Sequence, residues 1–135
     1  MKEEITKLLK LTFLIHFFVA IIFGLIFLLL SDYYLSITGW PSIDPIVGHT
    51  LSGTLGAAFI GIALSSLLAW RETEWIKVKI IVQMEIAWLV IGVIINLWVA
   101  FTLSPPIIIW LHIIIFLVFL IAFSWFYYIQ EIKKI

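Results

Sequence analysis

The sequence predicts an all-α integral membrane four-helix bundle, and three observations carry that reading. First, residues 86–130 contain no Asp, Glu, Lys or Arg, a run of forty-five positions interrupted only by Pro105-Pro106. One helix of that length would reach roughly 68 Å, about twice what the hydrocarbon of a bilayer requires. The proline pair therefore reads as the tip of a hairpin between two spans, because proline removes a backbone donor and disfavours α conformation in the residue before it. Second, 64% of the 135 residues are hydrophobic and 12% are charged, more apolar surface than a soluble domain of this size can hide. Third, the apolar runs lack the period-two alternation of a transmembrane strand. No polar segment is left over for a separate domain, so residues 1–135 read as a single bundle.

The first span is expected at 11–31. The basic stretch Met1 to Lys10 before it would suit a signal peptide, but the apolar run is too long and no small-x-small cleavage site follows. It reads as an uncleaved span. Residues 32–45 form a turn-rich connection with Gly39, Pro41, Asp44 and Pro45, and Trp40 at the interface. The second span is expected at 46–70, followed by the tight polar turn Arg71-Glu72-Thr73-Glu74. The third and fourth are expected at 78–103 and 107–128. Each offers roughly 20 to 26 apolar-rich residues, enough to cross a ~30 Å core with some tilt.

The basic residues set the orientation. Lys2, Lys7 and Lys10 precede the first span, Arg71, Lys77 and Lys79 lie around the second turn, and Lys133 and Lys134 end the chain, so all 8 fall on one side. The positive-inside rule then puts both termini in the cytoplasm. Tyr33, Tyr34 and Trp40 mark the outer interface, and Trp70, Trp75, Trp125, Tyr127 and Tyr128 the inner one. Thr38, Pro41 and His49 faintly echo Thr102, Pro105 and His112, but the spacing differs and the echo is read as chance.

A formal charge of zero gives no sign of a nucleic-acid partner, and the lack of cysteine excludes disulfides, thiolate metal sites and cysteine nucleophiles. The chain contains no phosphate-binding glycine loop, serine elbow or metalloprotease helix pair. Ser65-Ser66 has no general base on its own helix. No catalytic residue is assigned, no metal is expected, and no cofactor is named.

Two features remain. Gly53, Ala57, Gly61, Ser65 and Ala69 recur every fourth residue of the second span, with Ser52 and Gly56 alongside. Small residues at this spacing let a second helix approach closely, since apolar burial gives no drive inside lipid. The stripe is expected to pack on another helix of the chain; the alternatives are an oligomer interface or the floor for a flat ligand.

The second feature is Glu85, six residues past Lys79 and so ~9 Å inside the third span. An ionised carboxylate costs about 2.5 to 3.5 kcal/mol at a span centre and less at this depth, so Glu85 should be protonated, paired or in water. His16, six residues past Lys10, and Ser65, six before Arg71, share its layer. Gly92 and Asn96 lie seven and eleven residues on from Glu85, nearly eclipsed with it, which marks one face of the third span as inward. The expectation is that Glu85 points into the bundle at the depth of His16 and Ser65 and is hydrogen-bonded by another span.

Asn96 and His112 form a second polar layer near the outside, with His49 slightly above. His16 lies near the opposite face from His49 and His112, so no three-histidine site is possible. A two-histidine site with Asp44 is conceivable, and neutral hydrogen-bonded histidines are the more ordinary reading.

Gly39-Trp40-Pro41, Asp44-Pro45, the glycine and alanine run of the second span, Leu68-Ala69-Trp70-Arg71-Glu72 and Gln83-Met84-Glu85-Ile86-Ala87-Trp88 resemble small four-span prokaryotic membrane proteins of an uncharacterised domain-of-unknown-function family. The resemblance implies a multi-pass protein of a prokaryotic cell membrane and brings no activity with it. The residues themselves leave three functions open. The favoured one is a non-enzymatic accessory or self-associating bundle, as a homo-oligomer or within a larger membrane complex, that holds a lipid or other apolar ligand. The others are a proton-coupled carrier of small molecules using Glu85, and an intramembrane lipid or quinone enzyme using Glu85 and His16. A carrier would need Glu85 on a water-reachable cavity, an enzyme would need it beside His16 in a closed pocket, and a structural role would have it tied up in hydrogen bonds.

Overall fold

The computed structural model describes residues 4–133; Lys2 and Lys134, two of the residues behind the orientation argument, lie outside them. Within that range the chain forms α1 (Lys7–Leu29), α2 (Ser31–Thr38), α3 (Pro45–Arg71), α4 (Trp75–Thr102) and α5 (Ile108–Tyr127), the last prolonged by a π-helical turn, Tyr128–Lys133. The fold is all-α. Four of the helices, α1, α3, α4 and α5 with its extension, are long and apolar enough to cross a membrane. Their outward faces carry large apolar side chains such as Leu51, Ile76, Ile80, Ile94, Phe101 and Ile114. An apolar surface this continuous requires a lipid environment.

Local chemistry fixes the helix ends. Thr6 accepts from the Leu9 amide to cap α1, and Asp44 accepts from Ile46 and Val47 to cap α3, with Pro45 in the first turn where its missing donor costs nothing. The two prolines separate α4 from α5, as expected of a hairpin tip. The helix that carries the first expected span begins at Lys7, four residues before position 11.

The connection at 32–45 departs further from expectation. Its first half is the eight-residue helix α2, not a loop. The signals were present: Asp32 sits in the first turn, and Gly39 takes a left-handed conformation (φ 81°), so that Trp40 N–H reaches back to the Leu35 carbonyl.

The packing is that of two helix pairs. α1 lies along α3, α4 lies along α5, and contacts between the pairs are sparser. The buried positions of α3 are small residues, Gly48, Gly56, Ala63, Ser66 and Ala69, and the helix meets α1 at Gly56 and Ser66. Of the stripe expected from the sequence only Ala69 is among them, together with Gly56, which was expected alongside it. Gly53 and Gly61 have no neighbouring atom within 4 Å of where a Cβ would stand, and Ala57 is exposed. The close approach falls instead at Gly56, where a Cβ would lie 2.7 Å from the Leu28 amide nitrogen and 2.8 Å from the Gly24 carbonyl. The two stripes are both small and differ only by helix rotation, which a four-residue period does not determine. In the other pair Gly92 makes the close contact: a Cβ there would run into the Phe116 ring.

The apolar core is gathered at the end of the bundle that carries the charges. Leu9 and Phe13 from α1, Ala69 from α3, Trp75, Val78 and Val82 from α4, and Phe123 and Phe126 from α5 pack there. Polar contacts close the same end. Ile5 N–H donates to the Thr73 carbonyl at 3.0 Å, Trp75 Nε1 donates to Glu131 at 2.9 Å, and Lys79 also pairs with Glu131. The π turn brings Glu131 and the buried Gln130 around to make these contacts. Toward the opposite end an aromatic-lined cavity lies between the pairs.

Candidate functional site

Where the packed half gives way to the open half, α1, α3 and α4 bring three polar side chains together. His16, Ser66 and Glu85 are 5%, 0% and 0% exposed, so none belongs to a solvated surface. His16 Nδ1 and Ser66 Oγ are hydrogen-bonded at 2.9 Å, and the same Nδ1 stands 3.7 Å from Glu85 Oε1. Two phenylalanines of α5 fix the imidazole, with ring centroids 4.6 Å (Phe119) and 5.4 Å (Phe123) away in edge-on geometry.

Glu85 thus points into the bundle beside His16, as its helix face implied. Two details differ from expectation. Ser66, not Ser65, completes the cluster; Ser65 is turned one helical step away and donates to the Ile62 carbonyl of its own helix at 2.8 Å. Counting depth from Arg71 placed both serines in the right layer but could not choose between them. The second difference is that the hydrogen bond expected at Glu85 is not made. Ser66 stands beside the carboxyl as well, but its bond is to the imidazole, and neither Glu85 oxygen has a hydrogen-bonding partner at proper geometry.

The arrangement limits the chemistry. In a serine-histidine-acid relay the nucleophile and the acid occupy different nitrogens of the imidazole. Here Ser66 and Glu85 approach the same one. The cluster is therefore built differently from a hydrolase relay, and Ser66 is sealed in the α1–α3 contact.

His16 also forms one end of a cavity of about 260 Å³ in the open half of the bundle. Ring contacts run along its wall. They run from His112 to Phe23 at 5.8 Å, from Phe23 to Phe59 at 6.4 Å, from Phe59 to Trp88 at 6.0 Å and from Trp88 to Phe116 at 6.4 Å. That series draws on α5, α1, α3 and α4 in turn. Ile91 and Ile95 of α4, both more than half exposed, line its margin.

Asn96 and His112, the expected outer polar layer, both line this cavity, but they do not bond to each other. Asn96 Nδ2 donates to the Gly92 carbonyl at 2.7 Å, and His112 Nε2 is hydrogen-bonded to Tyr34 Oη at 2.6 Å. Tyr34 belongs to α2, outside the spans, and partial burial pushes its phenol up from the usual range. Sequence reasoning had treated Tyr34 only as an interfacial marker. The conceivable metal site is dispersed: Asp44 caps α3, His49 pairs with Asp32 at 3.3 Å, and His112 pairs with Tyr34. Among the described residues no cluster of three or more His, Asp or Glu side chains is placed to hold a metal ion.

Comparison with protein-family models, curated proteins and solved structures finds no match to the chain. The resemblance carried by residues 39–88 therefore identifies no family. The architecture itself defines the class: a polytopic membrane protein with four long apolar helices.

Proposed function

We propose that the protein is a small non-enzymatic membrane bundle that holds an apolar ligand, a lipid or a molecule of similar character, between its two helix pairs. The observation that carries this reading is the aromatic-walled cavity of about 260 Å³. It exceeds the ~150 Å³ that suffices for benzene in an apolar protein interior, and its walls are apolar apart from His16, Asn96 and His112. Native mass spectrometry of protein released from its own membranes should find a small apolar molecule retained. Ala20→Phe, which adds a ring to a wall residue only 2% exposed, should lose it. Protein that is equally empty with and without the substitution would refute the reading.

A second reading, in which Glu85 and His16 handle protons for a carrier or an enzyme, is favoured by one observation. The Glu85 carboxyl is buried without a hydrogen bond and so is not tied down as a structural residue would be. It is weaker as a carrier, because Glu85 stands behind His16 and is not itself a cavity residue.

The membrane topology belongs to the same proposal. The basic side chains Lys7, Lys10, Arg71, Lys77, Lys79 and Lys133 all lie near helix ends at the charged end of the bundle, which supports a cytoplasmic location for both termini. In this cysteine-free chain, Ser42→Cys and Ser104→Cys should react with an impermeant thiol reagent from outside intact cells. Reaction only after lysis would reverse the orientation. Self-association is part of the reading too, since Gly53, Ala57 and Gly61 are left without a close neighbour in the chain.

A further inference from the structure

The cavity has a polar end whose hydrogen-bonding sense can be worked out. Among the described residues, the buried side-chain polar atoms that lack a partner are the two Glu85 oxygens. His16 lines the cavity, and its Nδ1 is bonded to Ser66 and approached by Glu85, which leaves Nε2 as the ring nitrogen without a partner among the described residues. Nε2 is thus the atom that His16 offers to an occupant.

The tautomer turns on the direction of the Ser66 hydrogen bond. Hydroxyls on these helices ordinarily donate one turn back along their own chain: Thr12 to Leu8, Thr50 to Ile46, Thr54 to Thr50, Thr102 to Trp98. Ser66 makes no such bond, and its hydrogen bond goes to His16 Nδ1. A hydroxyl that donates here makes Nδ1 the acceptor and puts the imidazole proton on Nε2; a hydroxyl turned to the neighbouring Glu85 makes Nδ1 the donor and Nε2 an acceptor. Were the imidazole to take a proton from Glu85, Nε2 would still carry one. With Ser66 donating to Nδ1, or with the imidazole protonated, the polar end of the cavity presents an N–H donor.

We propose that Ser66 donates to His16 Nδ1, and that the cavity takes a lipophilic molecule of about two-ring size bearing a carbonyl oxygen, which accepts a hydrogen bond from His16 Nε2–H while its apolar body lies against Phe23, Phe59, Trp88 and Phe116. The proposal rests on the reading of the cavity as a ligand site. An unbonded donor at the end of an apolar pocket discriminates against a hydrocarbon, because filling the pocket with one leaves the donor desolvated and unpaired.

The test uses two probes of equal size, 2-acetylnaphthalene and 2-isopropylnaphthalene, titrated by ligand-observed NMR into the purified full-length chain in nanodiscs. Empty nanodiscs supply the reference, so that affinities refer to concentration in the lipid. The ketone should bind about five- to tenfold more tightly, the equivalent of one net hydrogen bond. His16→Phe should abolish that preference and keep hydrocarbon binding. Ser66→Ala, which leaves the imidazole in place and frees its tautomer, should weaken the preference. Binding of both probes with equal affinity would overturn the assignment of the polar end and leave the cavity reading standing. Binding of neither would overturn both. A preference that survives both substitutions would move the donor away from His16 and overturn the proposal. Repeating the titration in ester-linked and ether-linked phospholipid separates two sources of the carbonyl. Weaker ketone binding in ester lipid supports the proposal with the membrane's own carbonyls as competitors, and equal binding supports it with a free carbonyl compound as the occupant.

Discussion

Gly56→Leu should separate α1 from α3 and destabilise the bundle by about 3 kcal/mol or more, the upper range for overpacking a close contact. The atoms that a side chain would meet at Gly56 are the Leu28 amide nitrogen and the Gly24 carbonyl, at 2.7 and 2.8 Å. Both are backbone, so no rotamer change relieves the clash; α1 itself must move. The cost is concentrated because α1 and α3 form the most extensive helix contact in the chain, and because Ser66, which holds His16, lies in the same face. Gly61→Leu is the internal control. It lies five residues further on, with no neighbouring atom within 4 Å of the Cβ position. Its effect on the monomer should be neutral or stabilising, by no more than the ~1 kcal/mol by which glycine disfavours a helix interior. Unfolding in bicelles would measure both variants, and crosslinking would show whether Gly61→Leu selectively weakens an assembly. Equal tolerance at the two positions would mean that α1 and α3 do not approach through Gly56.

The contrast between these two glycines shows where the sequence was legible. Uninterrupted apolar runs and the proline pair give the number of helices and nearly their ends, because hydrophobic thickness sets span length regardless of what the spans pack against. Depth along a span was also legible, since 1.5 Å per residue is fixed by the helix; hence His16 and Glu85 do meet. Rotation about the helix axis was not. Inside lipid, outward and inward faces are both apolar, so no polar face marks the outside as it would in water. Gly53-Ala57-Gly61 and Gly48-Gly56-Ala63 then look equally suited to packing, and Ser65 looks equivalent to Ser66. For α4, Glu85 supplied the missing asymmetry, and the expected inward face is the one on which Glu85 and Leu89 are buried. The cavity escaped notice because it arises from the loose contact between helix pairs, which no single helix encodes.

Glu85→Met should stabilise the protein, by about 1–3 kcal/mol, the usual cost of a buried polar group without a partner. Methionine is close to glutamate in size and shape, so the replacement opens no cavity. It removes two oxygens that are fully buried and lack hydrogen bonds, and it leaves the His16–Ser66 bond of 2.9 Å in place. The contrary outcome has an equally definite size. If His16 and Glu85 formed a tight ion pair across their 3.7 Å separation, deleting one member would leave a buried charge and cost about 3–5 kcal/mol. Steric-trap unfolding in bicelles distinguishes a rise from a fall of that magnitude. Glu85→Gln supplies the functional half of the experiment, because the amide retains hydrogen-bonding capacity and cannot exchange a proton. A stable Gln variant that still retains its apolar molecule would confine Glu85 to a supporting role behind His16. Loss of the molecule at unchanged stability would show that the carboxyl proton takes part in holding it. A position that lowers stability in the wild-type chain and leaves ligand retention unchanged in both variants would have no role in the cavity, and the cluster would then be only a defect in the core.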